Sequence, residues 1–135
     1  MDERVIKFIK KHHVLTLATA KDNAPYCANA FYAYDAKRNR FIFTSDTATR
    51  HGSEMTNNPQ VAASIVWETK IVGKIQGLQL TGGVVEADQE DRGYYIKRFP
   101  YTALAELTLW AIEPQEIKYT DNTLGFGKKL IWSAK

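Results

Sequence analysis

The segment Phe41–Trp67, FIFTSDTATRHGSEMTNNPQVAASIVW, passes from one apolar strand pattern to another through a short polar helix pattern. Phe41, Ile42 and Phe43 are aromatic and β-branched, which reads as a buried strand. Thr44, Ser45, Asp46 and Thr47 are turn and N-cap types, so they predict a helix opening near Ala48 and running to Asn57. Asn58 and Pro59 stop that helix, because the residue before a proline is steered out of the α region, and QVAASIVWE returns as a strand. Backbone N–H groups at a helix start lack intrahelical acceptors and favour an anion. Thr44, Ser45 and Thr49 add hydroxyls there, and Arg50 adds a planar, permanently charged fork suited to phosphate oxygens. The same residue types also serve plain helix capping and a solvated surface, so both readings stand at this level.

The flanking sequence supplies the rest of the architecture. Val5, Ile6, Phe8 and Ile9 form a helix-like stripe behind Asp2, with His12 and His13 at its exit into VLTLAT. The turn DNAP separates that strand from YCANAFYAY, and DAKRN separates the latter from RFIFTS, which makes a three-strand meander. KIQGLQLTGGVVEA is expected to be the longest strand, with Gly82 and Gly83 marking a bulge where a barrel turns a corner. Asp88 to Arg98 predicts a helix stopped by Phe99 and Pro100, with a short further turn between Tyr101 and Glu106. LTLWAIEP and EIKYT predict two more strands, and DNTLGFGKKLIW a glycine-punctuated tail. About five to seven strands with peripheral helices describe a mainly β chain folded as an antiparallel barrel or curled sheet. Helix and strand do not alternate, which disfavours a doubly wound parallel sheet.

With 135 residues, 44% hydrophobic and 24% charged, the chain fits one domain over 1–135. Its 18 basic and 15 acidic residues leave a net charge of +3, and the cations are scattered rather than gathered into a stripe. That argues against nucleic acid as a partner. The opening MDERVIKFIKK is too charged for a secretory core, and no apolar run approaches membrane-spanning length, so a cytoplasmic protein with no membrane partner is expected. The single Cys27 precludes an internal disulfide and a cysteine-rich metal site, and it is expected to be a small buried strand residue.

The order of a leading helix, LTLAT, NAFYAYD, FIFTS, the TRH helix start, NNPQVA and a long strand ending TGGVVE resembles the pyridoxamine 5'-phosphate oxidase-like superfamily of FMN-binding split barrels. Within it, CANAFYAYDA, TRH and above all IKYTDNTLGFGKKLIW resemble a family of small bacterial proteins known as YhbP or UPF0306. The resemblance implies a homodimer with two FMN sites, each at the interface between protomers. It maps the FMN phosphate to Thr44, Ser45, Thr49 and Arg50, with His51 beside them. It maps the isoalloxazine ring to Asn29, Ala30 and Phe31 and to the long strand near Gln76 and Gln79. Asn122, Lys128, Lys129 and Trp132 become candidates for closing the site.

Each of these residues also has a plainer role open to it. Asn29 in an apolar strand needs a hydrogen-bond partner of some kind, whether backbone or flavin. Gln76 and Gln79 are three apart, so a regular strand sends them to opposite faces. His51 adds positive charge at a helix start, which the dipole disfavours unless an anion is bound. The oxidases of the superfamily grip a substrate phosphate with a Tyr, an Arg-Pro pair and a following Ser. In the comparable stretch YYIKRFPYTALAEL, Tyr95 and Arg98 resemble part of that grip, but Phe99 separates Arg98 from Pro100 and Ala103 stands where the serine belongs. Oxidation of pyridoxine phosphate is therefore not expected. The resemblance implies a flavin-dependent oxidoreductase acting on a small molecule; a flavin carrier or sensor, and a structural dimer without flavin, stay open beside it.

Overall fold

The computed structural model describes residues 1–134. Helix α1 (Glu3–Lys11) leads into β1 (Val14–Lys21), β2 (Ala24–Asp35) and β3 (Arg40–Thr44), followed by α2 (Arg50–Asn57), β4 (Gln60–Trp67), β5 (Gln76–Glu86), α3 (Gln89–Arg98), β6 (Leu109–Asp121) and β7 (Lys129–Ser133). The sheet order is β3-β2-β1-β4-β5-β6-β7, and β3 also pairs with β6, so the first six strands close into a barrel with β7 added outside. Every pairing is antiparallel. The β1–β2 hairpin turns on Asp22 and Asn23, both at positive φ, the backbone that Asn and Asp tolerate best among residues with a side chain.

Alternation along the strands divides the molecule into an inside and an outside. Leu15, Leu17, Tyr32, Phe41, Phe43, Ile65, Leu78, Leu80, Ile112 and Ile117 fill the barrel, and α1 lays Val5, Phe8 and Ile9 onto the same core. Tyr32 donates its hydroxyl to the Ile9 carbonyl at 2.6 Å, so the helix is tied as well as packed. Ile42, between Phe41 and Phe43, points outward and joins Ala33, Leu109 and Ala111 beneath Tyr95 and Phe99 of the α3 segment.

Four expectations change. The longest strand is β6 with 13 residues, not β5 with 11, because LTLWAIEP and EIKYT form one strand through Pro114. A bulge makes this proline tolerable. Thr81 faces Glu116 while Gly82 faces Pro114, which leaves Gln115 as the extra residue. A side chain on Gly82 would put Cβ at 2.5 Å from the Glu113 carbonyl oxygen, so only glycine permits this close pairing. Helix α2 opens at Arg50 rather than near Ala48, because Asp46 first closes a turn, accepting from Ala48 N at its carboxylate and from Thr49 N at its carbonyl. Cys27 is exposed: it shares the outer face of β2 with Asn29 and Phe31, while half-buried Tyr26, Ala28 and Ala30 alternate with them.

Candidate functional site

A cavity of about 350 Å³ opens where β3 runs into α2, lined by Val14, Asn29, Ala30, Phe31, Thr44, Ser45, Asp46, Thr49, His51 and Tyr95. Its polar end is the turn after β3. Thr44 donates its hydroxyl to the Thr108 carbonyl at 3.1 Å, and Thr49 donates to the Asp46 carbonyl at 2.6 Å while accepting from Gly52 N. Both protons are therefore engaged inside the protein. Ser45 differs. Its backbone is held by Thr108 and by the Trp110 indole at 2.9 Å, yet its buried hydroxyl has no hydrogen-bond partner among the described residues. A buried polar atom left unpaired costs about 1 to 3 kcal/mol, so a ligand accepting from it would recover that deficit.

Helix α2 presses its first turn onto this loop. Gly52 sits so close that an added Cβ would lie 2.1 Å from the Asp46 carbonyl oxygen and 3.0 Å from Ser45 Oγ. Thr49 caps Gly52 N, which leaves the N–H groups of Arg50 and His51 as the helix's uncapped donors. Asp46 brings a carboxylate to the same end, turned back onto Ala48 N at 2.8 Å.

Arg50 leaves the cavity. Its guanidinium stacks 4.2 Å from the Tyr26 ring centre and donates Nε to Glu54 at 2.8 Å. Glu54 is itself buried and accepts from the Thr19 hydroxyl at 2.9 Å. The Arg50 hydrogen bond, with Thr19, outweighs burial and holds the Glu54 carboxyl below its ordinary range, so it is ionised at neutral pH. The two Nη groups of Arg50 have no partner among the described residues, on a side chain 56% exposed.

The other expected site residues divide by position. Asn29 Oδ1 accepts from Thr16 Oγ1 at 3.0 Å, the partner its strand setting required. Gln79 points outward into a second hollow of about 390 Å³ that also includes Cys27, Ala62, Ser64 and Lys118. Gln76 takes the opposite face and accepts from the Tyr119 hydroxyl at 3.3 Å. Asn122 acts as a clasp, donating to the Val72 carbonyl and accepting from Gly127 N, both at 2.9 Å. Lys128 is exposed, Lys129 reaches the Gly127 carbonyl, and Trp132 packs half-buried on the barrel core. None of the last five borders the cavity within a single chain.

Two features escaped the sequence reading. Arg38 bonds Asp35 at 2.6 Å and Asp88 and Asp91 at 2.8 Å, and Arg40 joins Asp91 at 2.9 Å, which locks the β2–β3 turn to the start of α3. The charges in DAKRNR and ADQED carried the signal, but partners some fifty positions apart cannot be matched by local pattern. The second is the use of Arg98. It donates to the carbonyls of Lys10 and His12 at the end of α1 and lies over the Tyr32 ring, so it is a strut between helices. Tyr95, three residues earlier, does line the cavity; burial pushes its phenol above the ordinary range, so it stays protonated.

A closed antiparallel barrel with outer helices and a cavity at the β3–α2 turn defines a split barrel of the pyridoxamine 5'-phosphate oxidase-like class. A family model described as pyridoxamine 5'-phosphate oxidase matches residues 1–121. A UPF0306 protein of Photorhabdus laumondii is 41% identical over 130 residues, covering 93% of this chain and 91% of its own. The chain belongs to the UPF0306 family. Its fold is similar to that of a FAD-binding protein from Mesorhizobium loti, with a TM-score of 0.69, 18% identity, and coverage of 84% of this chain and 87% of the other. A heme binding protein from Mycobacterium smegmatis has a TM-score of 0.72 at 15% identity, covering 90% of this chain and 52% of that one. Identities this low establish shared fold alone.

Proposed function

We propose that the chain binds FMN in the cavity at the β3–α2 turn and serves as a flavin-dependent oxidoreductase for a small molecule. The observation that carries this reading is the buried, unpartnered Ser45 hydroxyl beside the uncapped N–H groups of Arg50 and His51. Three donors converging at a helix start suit a phosphate. Arg50 points away from the cavity toward Glu54 and Tyr26, so in this reading its guanidinium turns back on binding to offset the Asp46 carboxylate that lines the site. At the other end, Asn29, Ala30 and exposed Phe31 offer a flat surface with one amide for an isoalloxazine ring. The flavin, when bound, supplies the redox chemistry; the protein orients it and limits water around it.

The reading extends to a homodimer with the site completed at the interface. The outer hollow combines small residues, among them Thr16, Ala18, Cys27, Ala62 and Ser64, with Gln79, Leu80, Glu116 and Lys118 on open strand faces that a second copy would approach. That approach would also bring C-terminal residues, among them Asn122, Lys128, Lys129 and Trp132, to the partner's cavity. Similarity to proteins named for binding FAD and heme supports a cofactor in this fold, and a heme arm belongs in the test.

The experiment is titration of the purified protein with FMN, followed by visible absorbance and flavin fluorescence. FMN should bind, and Ser45→Ala should weaken it by about tenfold or more, since a hydrogen bond to a charged group contributes roughly 1.5 to 3 kcal/mol. Equal FMN affinity in Ser45→Ala would remove the phosphate from this turn. Binding of heme with none of FMN would replace the cofactor. Flavin that NAD(P)H reduces and no added acceptor reoxidises would leave a carrier rather than an oxidoreductase.

A further inference from the structure

A third hollow, of about 350 Å³, lies between the ends of α1 and α3, lined by Lys10, Ala33, Tyr34, Tyr94, Lys97 and Arg98. It shares no lining residue with the cavity at the β3–α2 turn. Ala33 follows Phe31 on the outer face of β2, about 7 Å further along the strand, so the hollow stands beside that cavity rather than inside it.

Its charges set it apart. Three cations converge on it and no carboxylate lines it, whereas Asp46 lines the cavity and Glu116 the outer hollow. Lys10 and Lys97 are exposed and make no ion pair among the described residues. Arg98 uses a single nitrogen, Nη2, to brace the carbonyls of Lys10 and His12, which leaves Nε and Nη1 without a hydrogen bond among the described residues. The carboxylates beside Tyr94, those of Asp35 and Glu90, are both held by Arg38, at 2.6 and 3.4 Å. At the end of α1, burial and then the charges of Lys11, His13 and Arg98 push His12 below its ordinary range, as a positive corner requires. Lys10 and Lys97 occupy the last turns of their helices, where the dipole favours a cation. That accounts for one cation at each helix end, not for two ends and Arg98 meeting around one hollow without an anion.

We propose that this hollow binds the dianionic phosphate of a monoester, at a site separate from the flavin cavity. Like charges crowded together repel, and an anion among them turns each repulsion into an attraction. A monoester carries close to two negative charges at neutral pH, where a carboxylate or a diester carries one, and it offers three oxygens to three cations. The hollow exceeds one phosphate in size, so the group that bears it has room against Ala33 and the half-buried Tyr94. Two sources share this chemistry: a phosphorylated small substrate, and the extra phosphate that distinguishes NADPH from NADH. The second source rests on the flavin reading; the site itself does not.

The test is calorimetric titration of the full chain with FMN bound, so that the β3–α2 turn is occupied, in about 0.15 M salt to screen diffuse attraction. Two pairs of probes are compared, NADPH against NADH and ribose 5-phosphate against ribose. In at least one pair the phosphorylated member should bind about tenfold more tightly. Lys10→Gln with Lys97→Gln should abolish that preference and leave the melting temperature and FMN affinity unchanged. Lys7→Gln with Lys11→Gln, the same loss of charge outside the hollow, should preserve it. A preference in the first pair assigns the ester to the reductant, and one confined to the second assigns it to the substrate. No preference in either pair, a preference that survives the loss of Lys10 and Lys97, or an equal loss in both double variants overturns the proposal. Failure of FMN to load overturns the flavin reading instead, and the ribose pair on the unloaded chain then decides the hollow by the same lysine dependence.

Discussion

Replacing Gly52 with alanine sets two effects of opposite sign against each other. Within a helix the change favours folding by up to about 1 kcal/mol, since glycine loses more backbone freedom and alanine has the best helix propensity. The geometry at Gly52 opposes it. The new methyl would lie 2.1 Å from the Asp46 carbonyl oxygen and 2.8 Å from its carbon, where unstrained contacts are near 3.5 Å. The obstacle is backbone rather than a flexible side-chain tip, so helix α2 or the 45–49 loop must shift by more than about 1 Å. Overpacking of this kind costs about 1 to 3 kcal/mol, and a backbone obstacle places it toward the upper figure. The net expectation is a loss of about 1 to 2 kcal/mol. Because the same shift moves Ser45 relative to the start of α2, FMN affinity should fall with stability. The assay is urea unfolding of wild type and Gly52→Ala at one fixed protein concentration, since the apparent stability of the proposed dimer would depend on concentration, followed by FMN titration. A variant as stable as wild type with unchanged FMN affinity would refute both the close helix–loop approach and its role in shaping the cavity.

Phe43→Ala should destabilise the protein by about 3 to 5 kcal/mol, because the ring is fully buried inside the barrel; a loss under about 1 kcal/mol in denaturant unfolding would take it out of the core. Arg38→Met should flatten or reverse the loss of stability in acid. Burial pushes the Asp35 carboxyl up, but Arg38 and turn N–H groups bring it below its ordinary value, and the Arg38 hydrogen bond does the same to Asp88. A depressed folded pKa contributes stability that is present above the unfolded value near pH 4 and is lost as pH falls through the folded one. Wild type should therefore lose stability steeply below about pH 4, and identical acid slopes in wild type and Arg38→Met would remove Arg38 as the cause.

Much of the barrel was legible because its strands alternate cleanly and its turns carry specific chemistry. The Asp22–Asn23 hairpin, the Asn58–Pro59 stop and the Asp88 cap of α3 are local events whose residues determine local backbone. Pro114 misled for the same reason. A proline inside a strand reads as a break, and only the facing Gly82 turns that break into a bulge. Cys27 misled because burial belongs to a face of the sheet, and nothing in YCANAFYAY says which face looks inward at its first half. The sequence grouped Thr44, Ser45, Thr49 and Arg50 as one polar turn, but its members separated on folding. Two hydroxyls donate to carbonyls, Arg50 turns to Glu54 and Tyr26, and Ser45 keeps a free proton.

The chain by itself determined where strands, turns and helices fall, and so a mainly β molecule with a polar strand-to-helix turn, since those properties follow from neighbours a few positions apart. Tertiary structure alone decided which of the turn's donors stay available, that Arg98 braces α1, and that Tyr95 and Phe31 line one cavity with the β3–α2 turn. Hydrogen-bond capacity is limited at each atom. Whether a donor is left for a ligand depends on acceptors such as Thr108 and Asp46, which only the closed barrel and its packed loop bring within reach.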